Sequence, residues 1–412
     1  RGRPPDRARW TPLAHAMNDS RTASATQQSG EGYWEIEAGD VHGVEKALVS
    51  LRKQYASAEA VHEGRAGTRN SVANLVVYAG SEEVAERTTA TLERLAGSHP
   101  ARTILLVADL APDDPAVKAS VSARCSIARG HERICYEEIR LLARGRSAPH
   151  LRSVVEPLLL TDLPRVLWWT GEPALQDEIF TTFANMSDRV LIDTHGANNN
   201  AHALMQVARL IVDGVLETSL GDLTWGRLKL WRQTLAELFD PPQMTALLPF
   251  VRRLRVEVAG PKGTNPASAQ ALLFVAWLAT ALDWEPGRAG ERTFSGAIRL
   301  RLRAAGHDVP VELRPTELEH AAAGELQSVL LEADDGSGLA QIEISRGPGR
   351  EHARTRVALA GREPVERAVR FQVGDDAMLL SDELDSTERD VLFEEAAEMA
   401  GRFAELLPPE GR

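Results

Sequence analysis

Two short apolar runs, separated by one helix-length segment, constrain this chain more than any other feature. Ser71 to Ala79 carries Val72, Leu75, Val76 and Val77, and Thr103 to Ala108 carries Ile104, Leu105, Leu106 and Val107. A strand that is apolar on both sides needs cover on both faces of its sheet. Between the runs, Ser81 suits an N-cap, the pattern from Glu82 to about Leu95 suits a helix, and Gly97 and Pro100 close it. Strand, helix, strand in that order predicts a parallel pair with a crossover helix, the beginning of an α/β sheet.

The same alternation continues. A helix is expected from Asp40, with Val44, Leu48, Leu51 and Tyr55 on one side, and a loop over 56–68. Segments near 119–128 and 132–142 read as a hairpin about Gly130, which makes Cys125 and Cys135 cross-strand neighbours. Two readings stand for that pair: packed reduced thiols, or a redox-responsive couple. Pro164 to Gly171 predicts a strand in which Trp168 and Trp169 point to opposite faces. Helices follow over 173–186 and 198–215, with a buried strand at 188–194 between them.

After Pro249 the pattern changes. Phe250 to Val258 suits a strand, and Asn265-Pro266 suits the start of a helix reaching Trp284 that is apolar nearly all round. From Phe294 onward short strands dominate. Ile298, Leu300 and Leu302 alternate with Arg299, Arg301 and Arg303, giving one dry face and one basic face. Asp385 with Glu388 suits a capping box opening a final acidic helix with Leu392, Ala396, Met399, Phe403 and Leu406 as its packing stripe. The expected organisation is a disordered tail over 1–32 and an α/β N-terminal domain over 33–197. An α+β C-terminal domain over 198–410 follows, its sheet antiparallel.

One stretch joins the halves. Asp222 to Asp240 reads as a capped amphipathic helix on which Trp225, Leu228, Trp231, Leu235, Leu238 and Phe239 share a face. Arg232 falls inside that apolar arc, where a guanidinium needs an anion, and Asp222 and Asp193 are the candidates. The stretch suits either a core helix or a docking helix.

Charge narrows the function. The net charge of −12 argues against a nucleic-acid partner, and twelve acidic against three basic residues over 375–412 account for most of it. Two cysteines in 412 residues fit a reducing compartment. Residues 1–30 lack the apolar core of a signal peptide, and the apolar run from Ala271 to Leu282 is too short to span a bilayer. A cytoplasmic protein without a membrane partner is expected.

Catalytic signatures do not assemble. No G-x-G-x-x-G follows a strand, and G-x-S-x-G, H-E-x-x-H and C-x-x-C do not occur. His195 and His202 lack a carboxylate set in sequence, so no metal site or cofactor is expected. Lys262, in the turn before the apolar helix, suits either a helix-start anion site or a plain turn. The Arg299, Arg301 and Arg303 row suits phosphates, an acidic partner, or solvent. From its residues the chain reads as a binding or regulatory protein, with a sugar-phosphate-binding enzyme or sensor as the alternative.

Several stretches resemble the glucose-6-phosphate dehydrogenase assembly protein family, OpcA. They are Arg69-Asn-Ser-Val-Ala-Asn-Leu-Val-Val77, Ile134-Cys-Tyr-Glu-Glu-Ile139, Val166-Leu-Trp-Trp-Thr-Gly171 and Asp222-Leu-Thr-Trp-Gly-Arg-Leu-Lys-Leu-Trp-Arg232. Ala269 to Ala279 with Asp283-Trp284 continues the likeness. It implies a non-catalytic assembly factor or allosteric activator of glucose-6-phosphate dehydrogenase, with Asp222, Trp225, Arg227, Trp231, Arg232, Trp168 and Trp169 as signature positions. In photosynthetic members cysteines are thought to link this role to thioredoxin, and Cys135 lies within a matching motif.

Overall fold

Leu75 and Val77 face one apolar cluster while Val76 and Tyr78 face another, so a nearly continuous apolar run here is a strand covered on both sides. The computed structural model describes residues 33–38, 41–61, 71–109, 116–127, 133–145, 151–172, 177–261, 263–317, 321–347, 351–386 and 388–409. The expected disordered tail, Lys262 and the turn about Gly130 lie outside them.

The first half runs β1 (Tyr33–Glu37), α1 (Val41–Val61), β2 (Ala73–Ala79), α2 (Glu82–Leu95), β3 (Ala101–Asp109), β4 (Ala116–Ile127) and β5 (Arg133–Arg144). It continues as α3 (Leu151–Val155), β6 (Arg165–Trp169), α4 (Glu178–Asn185), β7 (Arg189–Ile192), α5 (Asn200–Val212) and β8 (Ser219–Asp222). These strands form one mixed sheet in the order β1-β4-β5-β3-β2-β6-β7-β8. Strands β5, β3, β2, β6, β7 and β8 are parallel, and β4 and β1 add antiparallel strands at one edge. Ser81 caps α2 by accepting from the Val84 N–H, as expected. Trp168 packs on the α2 side of the sheet. Trp169 packs on the other, stacked on Tyr78 at 3.7 Å between ring centres. The loop expected over 56–68 begins later, because α1 runs to Val61.

The second half runs α6 (Leu223–Arg227), α7 (Lys229–Phe239), α8 (Pro242–Thr245), β9 (Val251–Ala259) and α9 (Ala269–Ala281). Strands β10 (Glu285–Pro286), β11 (Glu291–Arg292), β12 (Ile298–Ala304), β13 (His307–Thr316), β14 (Leu326–Ala333), β15 (Ala340–Arg346), β16 (His352–Ala358) and β17 (Val365–Arg370) follow. Helices α10 (Asp376–Leu384) and α11 (Val391–Glu405) complete it. The nine-stranded sheet is ordered β10-β12-β13-β9-β14-β15-β16-β17, with β11 beside β12. It is antiparallel except for the β13–β9 pair. Its dry face packs on α9, whose residues are buried on nearly every side.

Four boundaries differ from expectation for physical reasons. The Asp222–Asp240 segment is two helices, because Gly226 weakens the first and Leu228, at ψ −7°, ends it. Helix α9 starts at Ala269 with Ser268 as its cap, and the Asn265 side chain accepts from the Ala267 N–H in the turn before it. It ends at Ala281 with Leu282 as its C-cap; Asp283 then takes the left-handed geometry, φ 54°, and the Trp284 N–H donates to the Ala279 carbonyl at 2.8 Å. The final acidic helix, α11, starts later than expected, with Asp390 rather than Asp385 as its cap, and an additional helix, α10, capped by Asp375 and ending at Asp385, precedes it. In α11 Leu392 is exposed and Phe393 takes its expected place in the core. The first sheet also extends past residue 197, since β8 pairs with β7, and apolar packing is continuous between the halves.

Candidate functional site

Helix α10 is acidic, and basic side chains from α2 and the turn after it, from β7, and from α6 and α7 meet it. Arg94 faces Asp375 (3.5 Å), His99 faces Asp385 (2.9 Å), Arg227 faces Asp376 (2.7 Å) and Lys229 faces Asp382 (3.1 Å). Arg189, on β7, pairs with Glu383 and donates to the Glu388 carbonyl at 2.8 Å. Beneath these pairs Leu379 and Leu380 join the apolar cluster of β2, α2 and Leu223. Much of the acidic tail is thus neutralised within the chain.

At the C-terminal ends of β7 and β8 the polar groups converge. Asp222 is fully buried; its Oδ1 accepts from the Thr224 N–H (2.8 Å) and the Thr194 N–H (3.2 Å), and its Oδ2 accepts from the Thr194 hydroxyl (2.5 Å). Burial, and then the Asp193 charge, push its carboxyl up to about 6. Asp193 receives Arg227 through both oxygens, at 2.7 and 2.9 Å. Burial opposes the charge of Arg227, but Asp193 and Asp376 outweigh it and hold the guanidinium firmly protonated. His195 packs beside them against Gly324, and burial, then Arg227, lowers its pKa.

The neighbouring face forms an open groove of about 760 Å³ between α6–α7 and α10–α11. The Trp225 Nε1 donates to Asp390 at 2.8 Å, and Asp390 caps α11 through the Phe393 N–H. Arg232 lies over the Trp225 ring, its guanidinium carbon 3.2 Å from the ring centre, and its Nη2 donates to the Trp225 carbonyl at 3.3 Å. Burial lowers its pKa to about 10, partly offset by Asp390 and Glu383.

A profile described as the glucose-6-phosphate dehydrogenase subunit N-terminal domain matches residues 92–209, and the C-terminal domain of the same subunit matches 218–397. The chain belongs to this family, OpcA. A protein of Nostoc punctiforme named putative OxPP cycle protein OpcA is 32% identical over 244 residues, which are 59% of this chain and 48% of that protein. A Synechocystis protein of the same name is 31% identical over 196 residues, 47% of this chain and 39% of that protein. The chain thus spans less than half the length of these relatives. A glucose-6-phosphate 1-dehydrogenase from Mycobacterium avium aligns over 81% of this chain and 91% of its own, at 16% identity and a TM-score of 0.46. At that level neither fold nor function transfers.

The signature positions of the OpcA resemblance are therefore mostly internal. Asp222, Trp225, Trp168, Trp169 and Trp231 are buried, the last packed edge-on to Phe371. Arg232 is not held by Asp222 or Asp193 as expected, because Arg227 occupies Asp193 and the two threonines occupy Asp222. Arg299, Arg301 and Arg303 lie on the exposed face of β12, outside the groove; Arg299 meets Glu312 (3.3 Å) and Arg303 meets Glu285 (3.2 Å). Cys125 and Cys135 are direct partners in the β4–β5 register. Among the described residues no group of three or more His, Cys, Asp or Glu is arranged to hold a metal. No described helix is long and apolar enough to cross a membrane. Arg189, Asp376, Glu383 and Asp390 carry no signal in the sequence, because their partners lie more than a hundred residues away.

Proposed function

We propose that this chain is a non-catalytic partner of glucose-6-phosphate dehydrogenase that binds the enzyme in the cytoplasm and favours its active oligomer. The observation that carries this reading is the closed polar network at the ends of β7 and β8. In an open α/β sheet a ligand site ordinarily forms beyond the C-terminal strand ends. Here Asp193, Thr194, Asp222, Thr224 and Arg227 spend their polar atoms on one another. The β2–α2 turn adds support. Glu82 and Glu83 occupy the first turn of α2, where their charges oppose a phosphate at that helix start. The family description supplies the partner's name.

Activation of this kind is linkage: a protein that binds the active state more tightly draws the population towards it. Moving an equilibrium from 1:99 to 99:1 takes a preference of about 10⁴. Steady-state assays of the dehydrogenase titrated with this chain test the reading. A fall in KM or a rise in kcat that saturates at a fixed stoichiometry is expected, and unchanged constants at saturating chain contradict it. A thermal shift of the isolated chain with glucose 6-phosphate would instead support a sugar-phosphate sensor.

A further inference from the structure

We propose that the groove between α7 and the α10–α11 pair receives a segment of the dehydrogenase presenting one carboxylate beside an apolar side chain, with Arg232 as the anchor for the carboxylate. This rests on the partner reading above and names the surface that would serve it.

Charge pairing singles out Arg232. Four cations line the groove. Arg189 is neutralised by Glu383, Lys229 by Asp382 and Arg389 by Glu394. Arg232 makes no ion pair among the described residues. Of the five donors on a guanidinium it uses one, on the Trp225 carbonyl, and its Nε is buried without an acceptor. Trp225 holds the guanidinium flat, so the group is pre-organised and little further ordering is needed when a carboxylate arrives. Its lowered pKa still leaves it charged at neutral pH.

The lip of the groove selects the rest of the occupant. Val391 and Leu392, at the start of α11, are 58% and 59% exposed. Two adjacent aliphatic side chains beside a charged slot suit an apolar residue next to the carboxylate. The groove also carries Asp382, Glu383, Glu388 and Asp390. A phosphate, with more charge and no apolar surface, meets those carboxylates without a second unpaired cation among the described groove residues. One carboxylate on an apolar segment fits Arg232, the groove cation without an ion pair among the described residues, and the aliphatic lip.

The test uses the full chain and the purified dehydrogenase, with affinity read by calorimetry. Arg232→Met keeps the stem packing and removes the charge, and Leu392→Asp places a like charge at an exposed position where folding is not at stake. Lys46→Met, on the exposed side of α1, is the control. Each groove variant is expected to raise Kd at least tenfold, with the control within twofold. Wild-type binding that survives both groove variants overturns the groove assignment and leaves the partner reading standing. No binding by the wild type overturns both. A thermal shift with 10 mM inorganic phosphate that Arg232→Met abolishes overturns the carboxylate segment in favour of a small anion.

Discussion

Arg227 commits both edges of its guanidinium, one to Asp193 and one to Asp376, and so ties the end of β7 to the start of α10. Removing its charge leaves Asp193 half-buried and unpaired beside the buried Asp222. Arg227→Met is therefore expected to cost about 3 kcal/mol in urea unfolding; a loss below 1 kcal/mol would show the network to be dispensable. Asp222 makes a pH-dependent contribution. Its folded pKa of about 6 lies above the ordinary 3.8, so the folded state binds this proton more tightly than the unfolded chain does. The resulting stability is full below the unfolded pKa and is lost as pH rises through about 6. His195, with its pKa lowered, acts in the opposite sense: its stability is present above its unfolded pKa and lost on acidification through the folded one. Comparison with Asp222→Asn removes that shared background. From pH 7 to pH 5 the wild type should gain about 1 kcal/mol relative to Asp222→Asn. A flat difference would mean that Asp222 does not titrate there.

Helix α11 lies so close to α5 that a Cβ at Gly401 would meet the Ala208 Cβ at 2.4 Å. Gly401→Ala gains about 1 kcal/mol of helix propensity but forces the two helices apart. A net loss of about 1–2 kcal/mol is expected from urea unfolding, and a net gain would mean that the contact relaxes freely. The elements themselves were unequally legible. The β2–α2–β3 unit was readable because apolar runs, a serine cap and a Gly-Pro ending agree locally. Helix α10 and the split of α6 from α7 were not. The apolar spacing Trp225, Leu228, Trp231 and Leu235 continues unbroken through the bend at Leu228. In one straight helix, residues seven apart lie about 10 Å from each other along the axis. Arg232 nevertheless lies over the Trp225 ring, across the break at Leu228, and the spacing alone did not show that contact. Strand β1 was missed because its pairing with β4 lies almost ninety residues away.

Across the whole molecule, two sheets share a continuous apolar core, and helix α10 is fastened by cations of α2, β7, α6 and α7. Net charge was legible from composition, yet its use was not, since composition cannot say that Asp376 and Glu383 meet Arg227 and Arg189. The family was legible from the 222–232 stretch, but the reason for that stretch was not: it closes the strand ends and builds the groove. On the reading proposed above, the chain acts by binding glucose-6-phosphate dehydrogenase and shifting its assembly. Sedimentation velocity of the purified dehydrogenase, alone and with a molar excess of this chain, is the decisive measurement. A shift of the dehydrogenase boundary to a larger species containing both proteins at a fixed ratio is expected. Two independent boundaries, unchanged by mixing, would contradict it.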